Sequence, residues 1–261
     1  MRQVVINADD FGKDRVTTEA ILQAFEMGAI SQTTLMVNMP YADEAVRLAK
    51  EKGVGDRIGL HLNLVEGKPL TEGLRACRLF CDESCKFAGG GVLRSRRMLL
   101  PYKKKIAALI HAECRAQIDK YLAYGLSLMH CDSHCHAHVR IPVARILFQL
   151  LEKSGFVSVR RTYGVSRFCS MNGILHGVRN FLYANLVRRY KFKTTDAFNG
   201  FCEKDLDCGG SIEFMVHPNM SHGELVDVTN YKTGTGSPLS EIADLVREKK
   251  LTLRTMREVC S

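Results

Sequence analysis

Four histidines, an aspartate and two cysteines fall within the ten residues HCDSHCHAHV, His130 to Val139. Imidazole nitrogens, thiolates and carboxylates are the side chains that hold divalent metals and move protons near neutral pH. The spacing admits two geometries. His134, His136 and His138 alternate as they would on a strand, whereas His130 and His134 stand about one helical turn apart. The run can be a metal site, a redox site or a polar loop, and what other segments bring to it decides. Those segments carry Asp9 and Asp10 in NADDFG, His61 and Asn63 in IGLHLNL, Arg160 after VSV, and His217 after IEFMV.

The elements that must position these residues alternate. Val4 to Ile6 reads as a buried strand running into a turn at Asp9 and Asp10. Thr17 or Thr18 can cap a helix reaching about Gly28. Strands are expected at Thr33 to Val37, Ile58 to Leu64, Ser127 to Asp132, Val157 to Arg160 and Ile212 to Val216. Helices are expected at Ala42 to Lys52, Lys105 to Tyr124, Val143 to Lys153 and Glu241 to Lys249. Two segments break the rhythm, a Cys-, Gly- and Arg-rich one over about 71–101 and a partly helical one over about 164–200. Strands alternating with helices argue for βαβ units and a parallel sheet. One α/β domain over 1–261, a single (β/α) barrel with irregular insertions, is the economical arrangement, and its functional residues belong at the C-terminal ends of the strands.

On such a barrel Asp9, Asp10, His61, Asp132, His134, Arg160 and His217 all lie near that end. Asp10, His61 and His134 make a three-ligand set for a catalytic divalent metal with an open position for water. Two histidines and a carboxylate suit Zn²⁺, and also Mg²⁺, Mn²⁺, Co²⁺ or Ni²⁺. Asp9 is placed to take a proton from an attacking water, and His217 to protonate a leaving amine. Arg160 can orient Asp9, and Asp132 can support a ligand histidine from behind. His136 and His138 are expected as pocket groups behind the ligands rather than extra ligands. Cys131 and Cys135 remain alternative ligands at lesser weight, because strand neighbours point to opposite faces.

The bulk properties narrow the classes. Of 261 residues, 46% are hydrophobic and 25% charged, an ordinary globular balance that excludes disorder. No stretch reaches about 18 apolar residues, so no membrane span is expected. The N-terminus lacks a signal-peptide pattern, and the expectation is a cytoplasmic protein whose ten cysteines are thiols. The net charge of +9 comes with basic clusters at Arg94, Arg96 and Arg97, at Lys103 to Lys105, and across Arg188 to Lys193. No nucleic-acid motif accompanies them, so a solvated basic face is the reading. Cys77, Cys81 and Cys85 follow no common metal spacing.

The motifs NADDFG (7–12), GLHLNLVEG (59–67), DSHCHAH (132–138), VRR (159–161) and FMVHP (214–218), in that order, resemble the YdjC-like carbohydrate deacetylases. The resemblance implies a distorted barrel related to polysaccharide deacetylases and metal-dependent removal of an N-acetyl group from an amino sugar or oligosaccharide. It assigns Asp10, His61 and His134 as metal ligands, Asp9 as catalytic base and His217 as acid. Cys135 and Val65 depart from the residues usual in that family, and the segment around 71–101 bears on substrate identity. A metal-dependent phosphoesterase and a non-catalytic sugar-binding protein are the rival readings. A homodimer is the expected assembly.

Overall fold

The computed structural model describes residues 3–89, 103–162, 171–201, 209–229 and 237–260. Seven parallel strands form one curled sheet: β1 (Gln3–Phe11), β2 (Gln32–Leu35), β3 (Ile58–Leu62), β4 (His130–Ser133), β5 (Ser158–Val159), β6 (Ala197–Gly200) and β7 (Ser211–Val216). Their order across the sheet is β5-β4-β3-β2-β1-β7-β6. The strands are Val-, Ile-, Thr- and Leu-rich and almost wholly buried, as strands covered on both faces must be. The edges nearly meet. Val159 N donates to Lys193 O at 3.1 Å, and Lys193 N donates to Val157 O at 2.9 Å, four residues before that same stretch becomes β6. The expected barrel is therefore an α/β half-barrel drawn together by the chain entering β6.

Helices cover the outside: α1 (Arg15–Met27), α2 (Ala42–Glu51), the single turn α3 (Glu72–Arg75), α4 (Lys104–Ala123), α5 (Ile141–Lys153), α6 (Met171–Arg189), α7 (Leu239–Glu248) and the short α8 (Met256–Val259). Asp14, not Thr17 or Thr18, caps α1: its carboxylate accepts from Thr17 N at 2.8 Å. Thr18 instead accepts from Gly12 N at 3.2 Å, tying the helix to the end of β1. Gly28 closes α1 at φ 75°, where a side chain would be strained. Among the described residues no helix is long and apolar enough to cross a membrane.

The two irregular segments resolve differently. Residues 171–200 of the second contain α6 and β6, so most of it is a regular helix–strand unit of the barrel. The first is pinned to α4 up to its early part. Glu113 Oε1 accepts from Leu70 N, and Oε2 accepts from Thr71 N and Thr71 Oγ1, at 2.8–2.9 Å. Phe80, Cys81 and Phe87 then reach the core. Cys77, Cys81 and Cys85 are free thiols, while the Arg94 to Arg97 cluster lies outside the described residues. Lys103 to Lys105, Arg188, Arg189, Lys191 and Lys193 are exposed, as a solvated basic face requires. A small antiparallel sheet absent from the sequence reading, β8 (Pro218–Ser221), β9 (Glu224–Asp227) and β10 (Ser237–Pro238), packs on α1 beside the barrel mouth.

Glycine matters where β3 passes between β2 and β4. A Cβ at Gly59 would meet His130 O at 2.9 Å and Thr34 Cγ2 at 3.1 Å. Gly59→Ala should therefore cost about 1–3 kcal/mol by overpacking, read as a lower midpoint in urea unfolding. An unchanged midpoint would show that the sheet yields there without strain.

Candidate metal centre and active-site cleft

Asp9 and Asp10 do not form a turn. They lie inside β1, where the register against β2 shifts between Ala8 and Phe11 and Asp10 adopts φ 70°. In an unbroken strand consecutive side chains point to opposite faces. The bulge re-aims the pair so that both carboxylates serve the mouth of the barrel.

Asp9 receives the guanidinium of Arg160 on both oxygens, NH1 to Oδ2 at 2.8 Å and NH2 to Oδ1 at 2.7 Å, and Asn7 Nδ2 donates to Oδ1 at 2.8 Å. Arg160 follows β5 and is wholly buried. It also meets Asp132 Oδ2 at 2.6 Å, and its Nε donates to Glu213 Oε1 at 2.7 Å. Burial opposes its charge, but Asp132, Asp9 and Glu213 together raise its pKa well above the usual value. Glu213 is pushed up to about 7 by burial, which outweighs the pull of Arg160.

Asp10 faces two imidazoles. Its Oδ1 lies 2.9 Å from His134 Nδ1 and 3.3 Å from His61 Nε2. Burial works against ionisation, yet the hydrogen bonds with His134 and His61 hold Asp10 well below the usual carboxylate range. His61 is fixed from behind: Nδ1 donates to Asp132 Oδ1 at 2.7 Å, and the Thr34 hydroxyl donates to Asp132 Oδ2 at 3.0 Å. Burial pulls the His61 pKa down, but Asp132 and Asp10 carry it up to about 9. Asp132 itself is lowered, with Arg160 and His61 overcoming its desolvation.

His134 opens a 3₁₀ segment, His134–Val139, in place of a continued strand. Cys135 and His136 take φ 51° and 52°, which swings the chain sharply after β4. His134 Nε2 lies 3.3 Å from Glu66 Oε2, which also pairs with Lys13 Nζ at 3.0 Å. Desolvation lowers the His134 pKa, but Asp10, Cys135 and Glu66 raise it to about 12. His136 and His138 turn away from the cluster. His138 Nδ1 meets Ser133 Oγ at 2.6 Å and its ring packs edge-on to Tyr183, while His136 packs edge-on to Phe198. Burial depresses both pKa values, that of His136 to about 4. Cys135 is exposed, and Cys131 is buried, where burial and the charge of Asp132 push its thiol up; among the described residues neither belongs to a donor cluster. Asn63 is spent on a turn: Oδ1 accepts from Val65 N and Glu66 N, and Nδ2 donates to Glu66 O at 2.7 Å. It places Glu66 rather than reaching the cleft.

His217 follows β7 on the far side. Its Nε2 is 4.0 Å from Asp9 Oδ2. The Thr229 hydroxyl donates to Asp227 Oδ1 at 2.5 Å, so its oxygen is left to accept from His217 Nδ1 at 3.0 Å. That arrangement puts the proton on Nδ1 and turns Nε2 toward the cleft. Between His217 and the Asp10–His134 pair is a cleft of about 330 Å³, also lined by Lys13, Asp14, Thr17 and Asn219.

The donor chemistry fits a divalent metal. One ligand atom each from Asp10, His61 and His134 lies within 4.8 Å of the others. The second nitrogen of His61 is already engaged by Asp132, which is how ligand imidazoles are usually held. Two further groups meet the same spacing, Asp9–His61–Asp132 and His130–Asp132–Glu213. In both, the carboxylates are already bonded to Arg160, so Asp10–His61–His134 is the group best able to hold an ion.

Lys13, Thr34, Glu66, Glu213, Asp227 and Thr229 were not singled out by sequence reasoning. Glu213 left a signal, a carboxylate in the middle of the apolar strand IEFMV. The others lie in segments that read as ordinary polar residues of strands and loops.

The chain is similar in sequence to several carbohydrate deacetylases. A carbohydrate deacetylase of Vibrio cholerae serotype O1 (strain M66-2) is 38% identical over 152 residues, 58% of this chain and 56% of that protein, so the match spans little more than half of that relative's length. Carbohydrate deacetylases of Thermoanaerobacter pseudethanolicus and Listeria welshimeri are each 29% identical, over 88% and 98% of this chain and 86% and 93% of theirs. A crystal structure from Enterococcus faecalis V583, provisionally described as a cellobiose-phosphate cleavage protein, superposes with a TM-score of 0.68 over 100% of this chain and 99% of that one at 21% identity, a likeness of fold. The model of YdjC-like proteins matches residues 3–252, and the chain belongs to that family.

Proposed function

We propose that this chain is a metal-dependent carbohydrate deacetylase that hydrolyses the N-acetyl group of an amino sugar or oligosaccharide to acetate and the free amine. The observation that carries the reading is the bulge at Asp10, which gives two consecutive aspartates separate partners: Arg160 for Asp9, and His61 with His134 for Asp10. The family and the carbohydrate deacetylases among its relatives supply the substrate class.

Asp10, His61 and His134 would hold one divalent cation, which supplies polarisation of the acetyl oxygen and acidification of water. Two nitrogen donors favour Zn²⁺, with Co²⁺, Ni²⁺, Mn²⁺ and Mg²⁺ as other occupants. Asp9, immobilised by Arg160, takes the proton of the water that attacks the acetyl carbon. His217, held by Thr229 and Asp227, enters protonated and gives its Nε2 proton to the departing nitrogen. Lys13, Asp14, Thr17 and Asn219 offer hydrogen bonds to sugar hydroxyls along the cleft. The reading keeps a cytoplasmic enzyme without nucleic-acid partners, and a homodimer as its assembly.

Three outcomes test the division of roles. His61→Ala and His134→Ala should each lose bound metal, measured by elemental analysis, with an unchanged far-UV spectrum; stoichiometric metal in either variant would remove that residue from the ligand set. Asp10→Asn should weaken metal binding, whereas Asp9→Asn should keep the metal and lower kcat by about 10²–10⁴; equal metal loss in both would refute separate tasks. His217→Ala should slow amide substrates far more than esters with good leaving groups, since only the amine needs a proton; equal losses on the two would place the acid elsewhere.

A further inference from the structure

The barrel interior holds one carboxylate that the proposed chemistry does not use. Glu213 sits in the middle of β7, opposite Val5 on one side and Phe198 on the other, and is wholly buried. Its Oε1 accepts from Arg160 Nε, but its Oε2 has no hydrogen-bond partner. One neighbour has the same deficit. His130, at the start of β4 and equally buried, contacts Ser158 Oγ through Nδ1 at 3.0 Å and leaves Nε2 without a partner. A ligand atom each of His130, Asp132 and Glu213 lies within 4.8 Å of the others. Two buried polar atoms without partners are costly apart and satisfied together.

We propose that Glu213 is a positioning residue for Asp9. It anchors the Nε edge of Arg160 through Oε1 and pairs with His130 Nε2 through Oε2, directly or across one buried water. Fixed by that edge, the guanidinium has no freedom to swing. Its two terminal nitrogens stay on the Asp9 oxygens, and Asp9 stays 4.0 Å from His217. With His130 donating through Nδ1 to Ser158 Oγ, its Nε2 is an acceptor and the pairing takes a proton on Oε2; the other tautomer would donate from Nε2 to an ionised Oε2. The charges around it favour that proton. Asp9 and Asp132 already face the same guanidinium, and a third ionised carboxylate there would meet two like charges. Burial raises Glu213 to about 7 and lowers His130 to about 4, so a neutral acid beside a neutral imidazole is the form both environments prefer. A second metal at this place is disfavoured, because Arg160 already fills the space between Asp132 and Glu213 with its own positive charge.

The proposal rests on Asp9 acting as the base, so its test separates the two. Glu213→Gln offers an amide oxygen to Arg160 Nε and an amide N–H to His130 Nε2, reproducing both bonds without a titrating proton. Glu213→Leu removes both. With the metal-loaded full chain, Glu213→Gln should keep kcat, KM and one metal per chain within about twofold. Glu213→Leu should lower kcat by about tenfold or more with KM and metal content unchanged, the split expected when only the transition state suffers. The Arg160 Nε–H resonance, seen by ¹⁵N NMR, should be sharp and slow to exchange in the native protein and in Glu213→Gln, and fast in Glu213→Leu. That readout stands even if the chain acts on another substrate. If Glu213→Leu fails to fold, Glu213→Gln still decides. A Gln variant with crippled kcat would show that the charge itself is used, and a native chain with two equivalents of metal where Glu213→Gln keeps one would make Glu213 a ligand. Undiminished kcat or an unaltered Nε–H signal in Glu213→Leu would make Glu213 a bystander.

Discussion

One buried guanidinium organises this site. Arg160 has no exposed surface, and its hydrogen bonds reach Asp9 on β1, Asp132 on β4 and Glu213 on β7. Only a planar fork with five donors in fixed directions can satisfy three carboxylates at once, and a lysine could not substitute. The geometry of the mouth follows from that contact. Asp132, held by Arg160, orients His61 toward Asp10, and Asp9, held by Arg160, faces His217 across the cleft. Asp9 and the donor cluster of its neighbour Asp10 are thus tied to the same fixed point.

Such a cluster is expensive to bury. Asp9, Asp10 and Asp132 bring three carboxylates, beside the neutral Glu213, into a space where Arg160 meets Asp9, Asp132 and Glu213, and Lys13, His61 and His134 face Asp10. Burying ions in a protein interior costs several kcal/mol apiece unless geometry and charge compensate. The imidazoles absorb part of the excess, with His61 raised to about 9 and His134 to about 12. A divalent cation between Asp10, His61 and His134 would absorb it instead and release those protons. Carboxylate and imidazole donors so close together form a group that could hold a cation.

The strand-end residues were legible in the sequence because period-2 runs and their terminating polar residues locate the C-terminal ends of barrel strands. His61, Asp132, Arg160 and His217 were located that way, and in the structure Arg160 bonds Asp9 while Asp132 bonds His61. The bulge was not legible. Asp9 and Asp10 read as a turn because adjacent polar residues after an apolar run usually are one, and only the β1–β2 register reveals the left-handed Asp10. The backbone path of HCHAH was not legible: its spacing admitted a strand or a helical turn, and Cys135 and His136 at positive φ instead bend the chain sharply after His134. The sheet of β8 to β10 was missed since its strands are two to four residues long. Yet it supplies Asp227, which with Thr229 just after it sets the tautomer of His217.

The central claim is that this cleft hydrolyses an acetamide with one bound cation. The most direct measurement is to load the full chain with Zn²⁺, determine metal per chain, and quantify acetate and phosphate released from N-acetylglucosamine oligomers and from sugar phosphates side by side. The account expects one equivalent of metal and acetate released in step with free amine. Phosphate release without acetate, together with two equivalents of metal, would contradict it.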